Sequence, residues 1–305
     1  MSYSNMSLTD LVSVNLNRML FVKEYLKIIS LYRYRFKNYL SVLIRVKQNK
    51  YPLKVKLRNN ENIVVLNRQH LTPLLYGVDY NQEEDIVILD NLGYPARLFS
   101  ATGNGELVPI FNNKDYDFLN VKGRTVIDIG ANIADSSIYF ALEDAEHVIA
   151  LEPYPKNYQI AKKNIALNDL SSKITLLNAA GGAKDKEIFI NTSYCGICKP
   201  LEASSTGENI TIISLNTLVR KFNLNAACLK IDCEGCEYDM VLDASADVLK
   251  RFSRIQIEYH YGYKDLYNKL KQCGFKVQVT KPIYIKNELA KRRSMYVGYL
   301  YASQN

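Results

Sequence analysis

No stretch of this 305-residue chain reaches 18 uncharged apolar residues, so no membrane-spanning helix is expected. The first ten residues are polar, and no apolar segment leads to a small-residue cleavage site, so no secretory leader is expected either. Internal repeats and low-complexity runs are missing, and so is the GxGxxG pattern by which a sheet binds a dinucleotide. Together these absences predict a cytoplasmic globular protein whose six cysteines stay reduced. What is present is enough apolar content, 48%, to bury a full core in one or two domains.

Charge is unevenly placed. Within residues 1–60, twelve Lys or Arg stand against two acids, whereas the whole chain is only +8. Apolar residues recur at helical spacing from Leu11 to Leu31 among these bases, which predicts an amphipathic helix over about 8–46, broken once. Such a segment is either a helical cap with a solvated basic face or a peripheral contact with anionic membrane. Nucleic acid is disfavoured, because the tyrosines of "LYRYRF" follow from a chain with 23 of them.

The period then changes. "YPLKVKLRNNENIVVLN" alternates on both sides of a polar turn and reads as a hairpin, and "DIVILDN" and "YPARLFS" read as further short strands. Residues 1–120 are therefore expected to form a helical and β-rich cap. From 121 to 305 strands and helices alternate: "RTVIDIG", "HVIALEP", "KITLLNAA", "CLKIDC" and "RIQIEYH" are apolar on both faces and separated by helical segments. This predicts a doubly wound, Rossmann-like α/β sheet, closed by an antiparallel edge from "FKVQVT" and "MYVGYLYAS".

Ligands of such sheets sit beyond the carboxyl ends of the strands. Those ends carry Asp128 and Gly130, Glu152, Asn178 to Ala180, Asp232 and Glu234, and Glu258 to His260. In "DIGAN" Gly130 is the one glycine, which suits a compact ligand better than a diphosphate. Glu152, 24 residues after Asp128, is placed to accept both hydroxyls of a ribose. A nucleoside without phosphate meets both conditions, and S-adenosylmethionine is the common cofactor of that description.

The segments "VIDIGANIADSSIYFALEDAEHVIALEPYPKNYQIAKKNIALND", "SLNTLV", "LKIDCEGCEYDMVLDA", "IQIEYH" and "YVGYLYA" resemble the FkbM family of S-adenosylmethionine-dependent methyltransferases, over about 121–303 and in the family's order. "DIGAN" is shared by many methyltransferases, whereas its combination with "KID.EG.E" and "EYH" is more specific. The resemblance implies a class I methyltransferase fold and methyl transfer to a hydroxyl, on a glycan, glycolipid or natural product. It implies that Asp128, Gly130 and Asn132 cradle the methionine portion, that Glu152 binds ribose, that Asn178 and Ala179 lie near adenine, and that Asp232 and Glu234 sit beside the transferred methyl. Ala134 departs from the family, which usually has glycine there.

"CGIC" (Cys195, Cys198) and "CEGC" (Cys233, Cys236) together offer four cysteines for zinc, but 34 residues intervene between them. The expectation is that the cysteines are small buried residues and that no metal is bound, with zinc or a disulfide as the less favoured outcomes. Asp232, Glu234 and Glu237 also fit a bland role as acids at a helix start. Asp232, Glu234 and Glu258 could instead furnish oxygen ligands for magnesium. His260, oriented by Glu258 or Asp232, is the candidate general base, with Asp232 able to do the same work. His70 and His147 carry no such context. The rival readings are a zinc-stabilised binding module with a basic arm, and a nucleotide-sugar or NAD enzyme on a similar sheet.

Overall fold

The computed structural model describes residues 18–81, 83–99, 106–191, 204–285 and 295–304. They fall into two compact units, one within 15–113 and the other within 114–305.

In the first unit, α1 (Arg18–Arg35) and α2 (Tyr39–Lys47) form the described part of the expected basic helical segment, and its break falls at 36–38. Residues 8–17 of that expectation lie outside those described. The break has a side-chain cause. Asn38 Nδ2 donates to Lys54 O at 2.9 Å, and its Oδ1 accepts from Lys56 N at 2.8 Å. Bonds of this kind draw the chain out of the helical path. The two lysines lie on β1 (Leu53–Lys56), which pairs antiparallel with β2 (Asn62–Val65) as the predicted hairpin.

A helix absent from the sequence reading follows, α3 (Arg68–Tyr76), which tolerates Pro73 in its interior. Its ends are well satisfied. Asn67 accepts from His70 N, Gly77 closes the helix at φ +70°, and Arg35 donates to the last carbonyls, Leu75 O and Tyr76 O. The unit ends in a three-stranded antiparallel sheet of β3 (Asp79–Asn81), β4 (Ile86–Ile88) and β5 (Arg97–Phe99).

The second unit runs β6 (Thr125–Ile129), α4 (Asp135–Leu142), β7 (His147–Leu151), α5 (Pro155–Leu167) and β8 (Ile174–Leu177). A small sheet of β9 (Ala179–Gly181), β10 (Lys186–Ile190) and β11 (Glu208–Ile213) follows, then α6 (Leu215–Lys221). The chain continues with β12 (Ala227–Ile231), α7 (Cys236–Asp243), α8 (Ala246–Leu249), β13 (Phe252–Tyr259) and α9 (Lys264–Gln272). It ends in β14 (Lys276–Val279), β15 (Ile283–Ile285) and β16 (Met295–Ser303).

The main sheet has the order β14-β16-β13-β12-β6-β7-β8, with β15 paired to β16. The run β8, β7, β6, β12, β13 is parallel, and β16 runs antiparallel to both β13 and β14. This is the predicted doubly wound sheet with its antiparallel edge, and the strand order reverses between β6 and β12. On one face Ile127, Ile129, Leu229, Ile231, Ile255 and Ile257 pack with Tyr238, Val241, Leu266 and Leu270. On the other face Asp128, Lys230 and Gln256 stand abreast in register.

Candidate active site

At the reversal, the loop after β6 is shaped by three residues with left-handed backbone: Gly130 (φ +80°), Asn132 (+49°) and Ala134 (+67°). Gly130 is required twice, by its φ and by the approach of the next strand's loop. A Cβ built on it would lie 1.9 Å from Asp232 O. Ala134 holds its unusual conformation in full burial, and its N–H closes the loop onto Ala131 O at 2.7 Å.

Asp128 is fully buried beneath this loop. Its Oδ2 accepts from Ser136 Oγ and Ser137 Oγ at 2.7 and 2.6 Å, and its Oδ1 lies 3.0 Å from Lys230 Nζ. Lys230 also donates to Gly130 O at 2.8 Å. Burial opposes a charge on this lysine, but Asp128, then Asp232 and Asp135, outweigh it and hold its pKa above the ordinary range. Asp128 therefore works through the loop, as the anchor of the ion pair that supports Gly130.

Glu152 follows β7 and is 4% exposed. Its Oε2 accepts from Asn132 N and its Oε1 from Tyr154 N, both at 2.9 Å. Burial is the dominant influence and pushes its pKa up to about 7, against the hydrogen bonds from Tyr154, Asn132 and Asn157. Asn178 Nδ2 donates to Glu152 O at 2.9 Å and to Pro153 O at 3.1 Å, so it clamps the backbone carrying the carboxylate. Ala179 is buried in the core and pairs with Thr211 in the small sheet.

Across the reversal, Asp232 N donates to Ile129 O at 3.0 Å, which ties the "CEGC" loop to the end of β6. Glu234 (φ +59°) and Gly235 (φ +127°) then turn the chain into α7. His260 Nε2 lies 3.3 Å from Glu234 Oε2 and 3.8 Å from Asp232 Oδ1. Its Nδ1 lies 3.0 Å from Glu237 Oε1. Glu237 is fully buried and also accepts from His260 N at 3.2 Å and, through Oε2, from Gly235 N at 2.8 Å.

Burial disfavours the imidazolium, yet the bond to Glu237 and the charges of Glu237, Glu234 and Asp232 prevail and push His260 up to about 10. These neighbours favour the imidazolium, the opposite direction from the near-neutral base expected from sequence. Its orienting partner is Glu237, where Glu258 or Asp232 was expected. Glu258 pairs with Tyr299 in the β13–β16 ladder. It does not belong to the one group, Asp232, Glu234 and His260, whose possible metal-ligand atoms lie within 4.8 Å of one another among the described residues.

Cys233 and Cys236 form a disulfide around Glu234 and Gly235, which corrects their reading as small free thiols. Two sulfurs bonded to each other leave no four-cysteine zinc site, and Cys195 and Cys198 lie outside the described residues. Glu237 is the residue whose role sequence reasoning missed. The available signal was its place in "KIDCEGCE", two residues beyond the glycine whose N–H it caps.

The sheet order and its antiparallel edge give the second unit a class I, Rossmann-like methyltransferase fold. Residues 128–277 match the model of the methyltransferase FkbM domain. Similar solved structures include methyltransferase FkbM from Methylobacillus flagellatus KT, at 15% identity over 59% of this chain and 43% of that one, with TM-score 0.40. A precorrin-6y C5,15-methyltransferase from Geobacter metallireducens GS-15 shows 14% identity over 67% and 93%, with TM-score 0.41. The TrmK of M. capricolum, in complex with S-adenosylhomocysteine, shows 15% identity over 63% and 67%, with TM-score 0.41. This chain thus spans less than half the length of the FkbM structure it resembles. No curated protein matches it.

Proposed function

We propose that the protein is an S-adenosylmethionine-dependent O-methyltransferase whose acceptor is a hydroxyl of a glycan, glycolipid or natural product. The observation that carries this reading is the pairing, around one loop, of a buried carboxylate suited to ribose with an acid and imidazole cluster suited to an acceptor. Glu152 accepts two main-chain N–H groups and the Asn157 side chain, while a carboxylate offers about four acceptor positions, so capacity remains for a ribose hydroxyl. The residues present therefore fit a nucleoside.

Glu152 would hold the ribose, and Gly130 to Asn132 would border the methionine portion. The bound cofactor would supply a methyl carbon activated by its sulfonium. The chain's own residues orient the acceptor oxygen for in-line attack and receive its proton. Asp232, about one-fifth exposed on its side chain and 3.8 Å from His260 Nε2, is the group offered for that proton. Calorimetry with S-adenosylmethionine and S-adenosylhomocysteine, with NAD as control, tests the reading. Micromolar binding that Glu152→Ala abolishes supports it, and NAD binding in its place sinks it.

We further propose that the first unit touches anionic membrane, so that a lipid-borne acceptor would be met at the surface. Leu40 and Ile44, one turn apart on α2, are 61% and 56% exposed. Between residues 25 and 60 ten bases occur with no acid. Among the described residues no helix is long and apolar enough to cross a membrane.

A further inference from the structure

We propose that Asp232, Glu234 and His260 bind a divalent metal cation, of the manganese class, at the strand-end cluster. Its use in catalysis rests on the methyltransferase reading, while the binding itself does not.

The spacing of the three groups is the first reason. A charge-assisted N–H to carboxylate bond is about 2.7–2.9 Å long. His260 Nε2 instead stands 3.3 Å from Glu234 Oε2 and 3.8 Å from Asp232 Oδ1, and all three ligand atoms lie within 4.8 Å of one another. Ligands held about 2.1 Å from one ion are separated by about 3.0–4.2 Å, whether the shell is tetrahedral or octahedral. Both His260 pairs are longer than a direct charge-assisted bond and fall within the spacing of ligands on a shared cation.

The second reason is the orientation of the imidazole. His260 is 3% exposed, and its Nδ1 is committed to the fully buried Glu237. That commitment turns Nε2 toward the two carboxylates, where a bound ion would take the place of the Nε2 proton and release it to solvent, the arrangement in which an outer carboxylate fixes a metal-binding histidine. Charge is the third. Three carboxylates surround one imidazole, so the cluster carries a surplus of negative charge that a divalent ion would offset.

One nitrogen with two oxygens suits manganese better than the all-oxygen shell preferred by magnesium. Three protein ligands leave positions for water or for an acceptor hydroxyl. A hydroxyl bound there would release its proton to solvent more readily.

The test is titration of the full-length protein with Mn2+, with the free ion followed by electron paramagnetic resonance. It is run without reductant, so that Cys233 and Cys236 stay bonded. One site per chain with micromolar affinity is expected. Glu234→Gln and Asp232→Asn should each weaken it at least tenfold, and Glu237→Gln by about 10- to 100-fold. No saturable site in the unaltered protein, or a site indifferent to both Glu234→Gln and Asp232→Asn, overturns the proposal. S-adenosylhomocysteine calorimetry on the same samples separates the two readings. Cofactor binding without Mn2+ binding removes the metal site alone, and Mn2+ binding without cofactor binding removes the methyltransferase assignment alone.

Discussion

Gly130 and Asp232 meet across the reversal of the sheet so closely that a methyl group on Gly130 would lie 1.9 Å from the Asp232 carbonyl oxygen. The contact joins the loop beside Glu152 to the loop bearing the acid cluster, so neither can move without the other. Gly130→Ala must push the Asp232 loop away and also hold an alanine at φ +80°. The strained backbone alone costs about 1–2 kcal/mol. Thermal unfolding should therefore show a lower Tm, and calorimetry a loss of cofactor affinity larger than the stability change explains. Retention of both would mean the loops are not coupled.

The buried pair beneath that loop makes a second, separable prediction. Lys230→Met leaves Asp128 in full burial without its cation, held only by the Ser136 and Ser137 hydroxyls. Breaking such a pair from one side costs about 3–5 kcal/mol, whereas replacing both partners with apolar groups costs much less. Denaturant unfolding of Lys230→Met, and of the double variant that adds Asp128→Leu, should show the single variant as the less stable. The reverse order would show that the ion pair itself, and not the orphaned charge, holds the loop.

The sheet was legible in the sequence because burial on both faces writes long apolar runs into β6, β7, β12 and β13, and because the charges fall where those runs end. The strand ends, and hence most candidate site residues, followed from that pattern. Glu237 was not legible as the partner of His260, since the two lie 23 residues apart and meet only because α7 packs back beside the end of β13. The disulfide was missed because residue spacing cannot say whether two thiols on a turn into a helix point at one another. In the first unit, Pro73 hid α3, whose stability comes from Asn67, Gly77 and the distant Arg35 and not from its own period.

Glu152 predicts a pH dependence of fixed sign. Its pKa is raised to about 7 from an ordinary 4.5, so the folded protein binds more protons than the unfolded chain between those values. Its contribution to stability is therefore most favourable below about 4.5 and declines as pH rises toward about 7. Ribose hydroxyls donate to the ionised form, so cofactor affinity should move the other way and rise between pH 6 and pH 8. Calorimetry across that range checks it, and a flat profile would remove Glu152 from the ribose site.

Membrane contact should depend on apolar anchoring and charge together. Leu40 and Ile44 lie exposed on α2, and Arg45, Lys47 and Lys50 beside them are exposed as well. On the adjoining hairpin, Lys54 and Lys56 take the exposed positions of β1 while Leu53 and Val55 face the core. Each base near an anionic surface contributes about 1 kcal/mol, and the attraction decays within a Debye length of about 10 Å at 0.1 M salt. Co-sedimentation of the full chain with vesicles containing phosphatidylserine should therefore exceed that with neutral vesicles and fall steeply at 0.5 M salt. Ile44→Asp removes an exposed apolar group without opening the core, so it should reduce partitioning at least tenfold and leave Tm unchanged. Salt-sensitive binding that survives Ile44→Asp and Leu40→Asp would reduce the contact to electrostatics, and equal binding to neutral vesicles would rule out recognition of anionic lipid.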